Sequence, residues 1–285
     1  DVAPSRGLGD VYKRQIQYMA DIIRHLPQMR GYDIVQVTNP VFFDLRPEKN
    51  WAIFKYLKKH NKKIFLDALA TDHYYVKACL DGKTFRYSDF FVGDRPLPHP
   101  EREKMLAAWI GGPNERPNIE MAQEANGIIA CLYEYYAAYQ PEYADKLAYI
   151  PIPIDLSINP FHPIKSTPEV VKFFIGIQQH RTAIKGTDIL LDVLREIHDK
   201  YPRESHIQKV VSVPFDEYNK LLVDCHILLD QLYSYTPATN ALAAMARGII
   251  AVSGAEPEFY NFIGEQKLRP IINVLSLIHI SEPTR

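Results

Sequence analysis

The feature that most constrains the fold is a repeated alternation of short apolar runs with amphipathic stretches. The amphipathic stretches, such as 187–202, have the spacing and the capping residues of helices. Runs of the buried-strand kind occur at 32–37, 63–68, 126–132, 171–177, 224–232 and 248–253. Strands that alternate with helices predict parallel sheets, so the chain is expected to be an α/β protein.

A proline-rich bridge divides this alternation into two halves. Residues 150–169 read IPIPIDLSINPFHPIKSTPE, and prolines at this density forbid a continuous helix and stiffen the chain. The sequence therefore predicts two Rossmann-like domains, an N-terminal one over 16–155 and a C-terminal one over 156–274.

The two ends of the chain can be encoded by opposite strands of one DNA sequence. Reverse-complementing suitable codons from Arg285 back to Leu275 gives codons for Ser5 through Gln15 without a frame slip. The implied DNA resembles a sequencing-library adapter. We therefore expect 1–15 and 275–285 to be adapter-derived and non-native, which leaves the N-terminal domain incomplete and the C-terminal domain truncated.

Charge, hydropathy and cysteine content indicate which classes of function are not expected for this chain. The formal net charge of −1 gives no general attraction to nucleic acid, so no nucleic-acid partner is expected. No apolar run reaches the roughly 20 residues of a membrane span, although the missing N-terminal part leaves peripheral membrane association open. Three cysteines without CxxC spacing indicate neither a disulfide framework nor a zinc site, and they fit a cytoplasmic location.

Ligands of open parallel sheets bind beyond the carboxyl ends of the strands, which directs attention to the loops there. After the strand in 224–232, a helix is predicted to begin at Thr236-Pro237, and its free N–H groups would form an anion site. The alternative is that Thr-Pro only caps a packed helix. Arg181 and Lys185 precede Gly186 after another strand and could clamp a diphosphate, or they could belong to a solvated loop.

Two further loops carry ionisable groups. Glu256 and Glu258 follow the strand at 248–253, where a carboxylate could accept hydrogen bonds from sugar hydroxyls or cap the next helix. Asp72 and His73 follow the strand at 63–68. A histidine beside an acid can shuttle protons, although a structural histidine with satisfied hydrogen bonds is the alternative.

The order of these segments carries a family resemblance. FFIG, KG, KYP, ALAAMARG, IIAVSG and EPE follow one another as in the second half of glycosyltransferases with the GT-B fold, which has two facing Rossmann-like domains. The chain most resembles the retaining group called family 4, well over 171–260 and loosely over 33–155. In that group an interdomain strand like IPIPID ends in an aspartate, which Asp155 matches.

The resemblance implies transfer of a sugar from a nucleotide-diphosphate donor, as substrate and without a further cofactor or metal, to a glycan or lipid-linked acceptor. It implies retention of configuration as well. By resemblance, Arg181, Lys185 and Gly186 are expected to bind the diphosphate, Glu258 to lie near the donor, and His73 to face the donor and acceptor sugars as a catalytic residue. The residues themselves add Thr236 and Pro237 to the diphosphate site, Tyr235, Asn240 and Glu256 to donor sugar or nucleotide binding, and Asp72 to catalysis.

One departure from the family pattern affects the expected activity. The group has two glutamates eight residues apart, and alignment on LAAMARG places Tyr235 and Ala243 at those positions. Ser234, Tyr235, Thr236 and Asn240 could replace hydrogen bonds but not charge. Two alternatives to a transferase follow: a non-catalytic protein that binds sugar nucleotides or glycans, and a sugar-nucleotide epimerase.

Overall fold

The computed structural model describes residues 8–93, 95–97 and 102–273, and it contains two four-stranded parallel sheets. The first sheet belongs to the N-terminal half. Its strands, in spatial order, are β1 (Ile34–Val37), β2 (Lys63–Ala68), β5 (Gly127–Ala130) and β6 (Leu147–Tyr149). The second sheet belongs to the C-terminal half. Its strands, in spatial order, are β10 (Ile250–Val252), β9 (Ile227–Leu229), β7 (Val171–Ile177) and β8 (Ser205–Val211). The predicted α/β class with parallel sheets is confirmed.

The N-terminal domain carries six α-helices and one short 3-10 helix (Leu26–Met29) among its described residues, and α1 includes 8–15, part of the segment expected to be adapter-derived. The helices are α1 (Leu8–His25), α2 (Pro47–His60), α3 (His73–Leu80), α4 (Arg102–Trp109), α5 (Glu115–Glu124) and α6 (Tyr133–Tyr143). A short antiparallel hairpin, β3 (Phe91–Val92) and β4 (Arg95–Pro96), lies between α3 and α4.

The helices of the C-terminal domain follow its strands. They are α7 (Thr182–Lys185), α8 (Thr187–Lys200), α9 (Phe215–Leu222), α10 (Thr239–Ala246) and α11 (Pro257–Phe262). The prediction that α10 begins at Thr236-Pro237 is wrong, since its first residue is Thr239 and Ala238 is the N-cap. The reason is that the N–H and hydroxyl of Thr236 donate to the carboxylate of Glu134, which holds Thr236 in the preceding loop.

Each sheet is buried by its own helices. In the N-terminal domain Ile64, Leu66 and Ile128 are fully buried against helical residues such as Phe54 and Tyr139. The C-terminal sheet has a helical layer on each face. Ile175 packs with residues of α8 such as Leu194, and Phe174 and Leu228 pack with Leu222 of α9. Because apolar burial is the main favourable term in folding, these cores fix where the strands end.

The order of the C-terminal strands creates a crevice. From β7 the chain passes to β8 on one side of the sheet, and it then returns to place β9 on the other side of β7. The loops after β7 and β9 therefore leave in opposite directions, which opens a crevice between their carboxyl ends. None of the described helices is both long and apolar enough to cross a membrane.

Candidate functional site

The loops after β7 and β9 meet at this crevice. The N–H of Leu232 donates to the carbonyl of Lys185 over 2.8 Å, which ties the two loops together. Gly186 adopts a φ of 65°, and a Cβ atom there would lie 2.8 Å from a side-chain carbon of Leu232. Glycine is thus required at Gly186 both for its backbone conformation and for this close approach.

A cavity of about 200 Å³ lies above the crevice, between the two domains. The predicted cations Arg181 and Lys185 both line it, together with Ala238 at the start of α10. The N-terminal domain supplies the opposite wall, which includes Asp89 and Glu134. The structure therefore brings the two cations, the α10 terminus and residues of the other domain around one space.

Lys185 is positioned by an aspartate that the sequence reasoning did not select. Asp230, only 3% exposed, follows β9, and its Oδ1 lies 3.9 Å from the Lys185 Nζ. The same oxygen accepts a hydrogen bond of 3.2 Å from the side-chain amide of Asn240. Arg181 is exposed at the N-cap of α7, so its guanidinium is free to reach a ligand in the cavity.

Glu134 was also missed, although it follows β5 as the selected groups follow their strands. Its Oε1 accepts from the N–H groups of Tyr235 and Thr236 over 2.7 and 3.0 Å, and its Oε2 accepts from the Thr236 hydroxyl over 2.6 Å. Burial raises the pKa of Glu134 in spite of these hydrogen bonds, which lower it. This carboxylate joins the two halves of the chain, and it accepts both the N–H and the hydroxyl of Thr236, whose hydroxyl oxygen also accepts from the N–H of Tyr133 over 3.0 Å.

A second set of interdomain contacts involves three residues predicted to bind the donor sugar or nucleotide. The Arg86 guanidinium lies 2.6 Å from Glu256 and 3.0 Å from Glu258, and its backbone N–H donates to the Tyr235 hydroxyl over 2.6 Å. Tyr87 donates to Glu256 as well. Burial alone would raise the pKa of Glu256, but the hydrogen bonds from Tyr87, Asn273 and Arg86 outweigh it, and the pKa is lowered.

Asp72 and His73 lie outside this cavity, in the interior of the N-terminal domain. Asp72 caps α3 by accepting from the N–H of Tyr75 over 2.8 Å, and it accepts from the Tyr139 hydroxyl over 2.7 Å. Burial raises the pKa of Asp72 to about 6. The His73 Nδ1 lies 2.9 Å from the carbonyl oxygen of Trp109. Both side chains make the contacts expected of structural residues, and neither reaches the wall that carries Arg181.

A further cavity of about 350 Å³ lies beyond the carboxyl ends of β7 and β8. Gly176, Ser212, Tyr218 and Asn240 are among its lining residues. A Cβ atom on Gly176 would lie 2.6 Å from the Tyr218 ring, so the small residue permits the ring to close one side. Asn240 thus contributes to this cavity while its amide contacts Asp230 at the crevice.

Among the residues that the structure describes, no three carboxylate, histidine or cysteine side chains are grouped as a metal site would need. No family model and no curated protein sequence matches the chain.

The chain is similar to three solved structures at low identity. One is the sucrose-phosphate synthase from Thermosynechococcus elongatus, with 11% identity over 88% of this chain and 63% of that chain and a TM-score of 0.46. Another is the catalytic domain of starch synthase IV from Arabidopsis thaliana bound to ADP and acarbose, with 10% identity over 85% of this chain and 60% of that chain and a TM-score of 0.44. The third is the UDP-GlcNAc 2-epimerase from Neisseria meningitidis bound to UDP-GlcNAc, with 11% identity over 98% of this chain and 75% of that chain and a TM-score of 0.41. The chain spans less than two thirds of the first two. The strand orders given above show, without these comparisons, one parallel sheet in each half of the chain.

Proposed function

We propose that the chain is part of a glycosyltransferase that moves a sugar from a nucleoside-diphosphate donor to a glycan or lipid-linked acceptor. The observation that carries this proposal is the shared cavity of Arg181, Lys185 and the start of α10. Two cations and the amide-rich end of a helix, at a strand-order switch between two facing domains, are suited to a diphosphate.

The sizes of the two cavities fit the parts of such a donor. The cavity of about 200 Å³ at the cations is below the roughly 300–1,000 Å³ of whole small-molecule sites, so it suits the diphosphate alone. The cavity of about 350 Å³ after β7 and β8 is large enough for a nucleoside. Asn240 and Asp230, which connect the two spaces, would then position the donor on both sides of its first phosphate.

The proposed chemistry is electrostatic. When the bond between sugar and diphosphate breaks, negative charge grows on the leaving diphosphate, and Arg181 and Lys185 would stabilise that charge. Lys185 is 13% exposed, so its charge would be only partly screened by water. Transfer with retention of configuration rests on the family resemblance.

Binding without catalysis is the second candidate, and the positions of the missing glutamates favour it. Tyr235 is 3% exposed and is engaged by Arg86 of the other domain, and Ala243 has no polar side chain. A protein that kept the scaffold would bind the donor and leave it intact. Incubation with a nucleotide sugar and analysis of the products separates the candidates: free sugar or a glycoside indicates a transferase, a changed sugar an epimerase, and unchanged donor the binding protein.

Titration with UDP and ADP tests the diphosphate site. Each lost charged hydrogen bond costs about 1.5–3 kcal/mol, or roughly 10- to 100-fold in affinity. We expect Arg181→Gln with Lys185→Gln to weaken binding at least tenfold, measured by isothermal titration calorimetry.

The matched control is Arg195→Gln with Lys200→Gln, which removes the same charge from α8 of the same domain. It should leave affinity within about twofold, because a surface charge acts weakly at a distance in salt. Equal losses for the two pairs would show that only net charge matters, and unchanged affinity in the site pair would remove Arg181 and Lys185 from the role.

A further inference from the structure

Arg247, which follows the last residue of α10, is a buried arginine whose guanidinium lacks hydrogen-bond acceptors for some of its N–H groups among the described residues. Its side chain is 7% exposed, and its Nη2 donates to Asn219 Oδ1 over 2.8 Å. Nε and Nη1 have no hydrogen-bond acceptor among the described residues, and both atoms are out of contact with solvent. Nε and Nη1 together carry three N–H groups, and burial of unpaired donors on a charged group is costly.

Arg247 separates two cavities at the junction of the interdomain linker with the C-terminal domain. The larger, of about 560 Å³, lies between linker residues such as Asn159 and helices α9 and α10. The smaller, of about 260 Å³, lies toward His162. Asn219 and Lys220 line both of them with Arg247. The Arg247 side chain therefore borders both spaces.

No carboxylate of the described residues forms an ion pair with this guanidinium. By contrast, Arg24, Arg86, Arg116 and Arg195 each form an ion pair with a carboxylate. Asp155 and Asp216 also line the larger cavity, but Asp216 is exposed, and the Asp155 Oδ1 accepts from the N–H and the hydroxyl of Ser157 over 2.8 and 2.6 Å. Burial lowers the pKa of Arg247, which is the response of a cation that lacks a nearby anion.

Ala243 explains why the acceptor is missing. It lies one helical turn before Arg247 on the same face of α10 and lines the same larger cavity. Side chains four residues apart on a helix are neighbours, so a carboxylate at this position would reach the guanidinium. Alanine leaves that space open.

We infer that the larger cavity at the linker binds a small oxyanion, the phosphate or carboxylate group of a metabolite, with Arg247 as its anchor. Lys220, on the exposed side of the cavity, adds a second positive charge. An arginine presents several N–H donors to two oxygens of such a group, which is the strongest geometry for oxyanion recognition. The site shares no lining residue with the diphosphate cavity, and it adjoins the cavity beyond β7 and β8, with which it shares Phe215, Tyr218 and Asn240.

Phosphate and acetate are the probes, and all titrations use a chain that carries Arg181→Gln and Lys185→Gln so that the diphosphate cavity does not contribute. We expect saturable binding of at least one probe by calorimetry, with a dissociation constant on the order of 1 mM. A preference for phosphate identifies a phosphate ester as the ligand class, and a preference for acetate identifies a carboxylate. No binding of either probe at 50-fold higher concentration overturns the inference.

Three variants locate the anion. Ala243→Glu provides an internal carboxylate, so it should weaken probe binding at least tenfold and raise the melting temperature measured without probe. Ala246→Glu adds the same charge to α10 away from the cavity lining and should change neither value. Arg247→Met should abolish binding. Because it removes an unpaired buried charge, the variant should also melt no lower than the parent. Binding that survives in Arg247→Met, or that Ala243→Glu and Ala246→Glu weaken equally, would overturn the assignment.

Discussion

The carboxylate of Glu134 offers the most direct measurement of how firmly the two domains are joined. Glu134→Ala leaves three donors of the C-terminal domain without an acceptor: the N–H groups of Tyr235 and Thr236 and the Thr236 hydroxyl. An unsatisfied buried donor costs about 1–3 kcal/mol. Part of that cost is offset, because the raised pKa of Glu134 shows that its charged form is already penalised by burial. We therefore expect a loss of about 3 kcal/mol in the free energy of unfolding.

Glu134→Gln separates the loss of hydrogen bonds from the loss of charge. The amide oxygen can still accept from both backbone N–H groups, so only the contact with the Thr236 hydroxyl changes, and a cost of about 1 kcal/mol follows. Urea unfolding followed by far-UV circular dichroism reports on both domains. The fluorescence of Trp51 and Trp109 reports on the N-terminal domain alone.

Glu142→Ala is the matched control, since Glu142 lies on the same helix and its carboxylate forms an exposed ion pair with Lys77. Surface pairs contribute about 0–1 kcal/mol, so this variant should unfold nearly as the parent does. A Glu134→Ala variant that unfolds within 1 kcal/mol of the parent would refute the reasoning, as would equal losses in Glu134→Ala and Glu134→Gln.

Two more predictions concern a buried carboxylate and two glycines. Asp72 has a pKa of about 6 in the folded protein, against 3.8 for a free side chain. Between these two pH values the folded state keeps a proton on Asp72 that the unfolded chain has lost. The free energy of unfolding therefore falls as pH rises through this window. Asp72→Asn, which cannot ionise, should gain about 3 kcal/mol relative to the parent between pH 4 and pH 7 in urea unfolding, whereas a constant difference would contradict the shift. Gly254→Ala would place a Cβ atom 1.7 Å from the carbonyl oxygen of Ser234, so we expect a loss above about 2 kcal/mol in thermal unfolding. Gly264→Ala, where the space is open but φ is 72°, should cost only about 1 kcal/mol, and an equal or larger loss there would count against the steric argument.

Local sequence patterns were sufficient for the central strands and insufficient for two edge strands. β2, β5, β7 and β9 have neighbours on both sides, and their sequences are nearly continuous apolar runs. β6 and β8 lie at sheet edges and were not predicted. β8 reads SHIQKVV, in which His206 and Lys209 are exposed on opposite faces of the strand and Gln208 is half-buried. Pairing with a neighbouring strand makes such a segment a strand, and a local pattern does not contain that pairing.

The residues of the candidate site likewise fall into those that the local sequence reveals and those that depend on partners distant in the chain. Arg181 and Lys185 could be selected because charged residues after a predicted strand are visible in the sequence, and the structure places both at one cavity. The burial of Glu134 could not be foreseen, since its partner Thr236 is 102 residues away. Glu256 shows the same difficulty, because its partner Arg86 is 170 residues away in the chain.

Asp230 makes the two proposed halves of the donor site thermodynamically dependent on each other. One of its oxygens approaches Lys185 at one cavity and accepts from Asn240 at the next. Groups that share a partner do not contribute independently, so the effect of changing one depends on the state of the other. A substitution of Asn240 that changed the preference for the nucleoside would therefore also change the affinity of Lys185 for the phosphates. Selection would then act on both properties together.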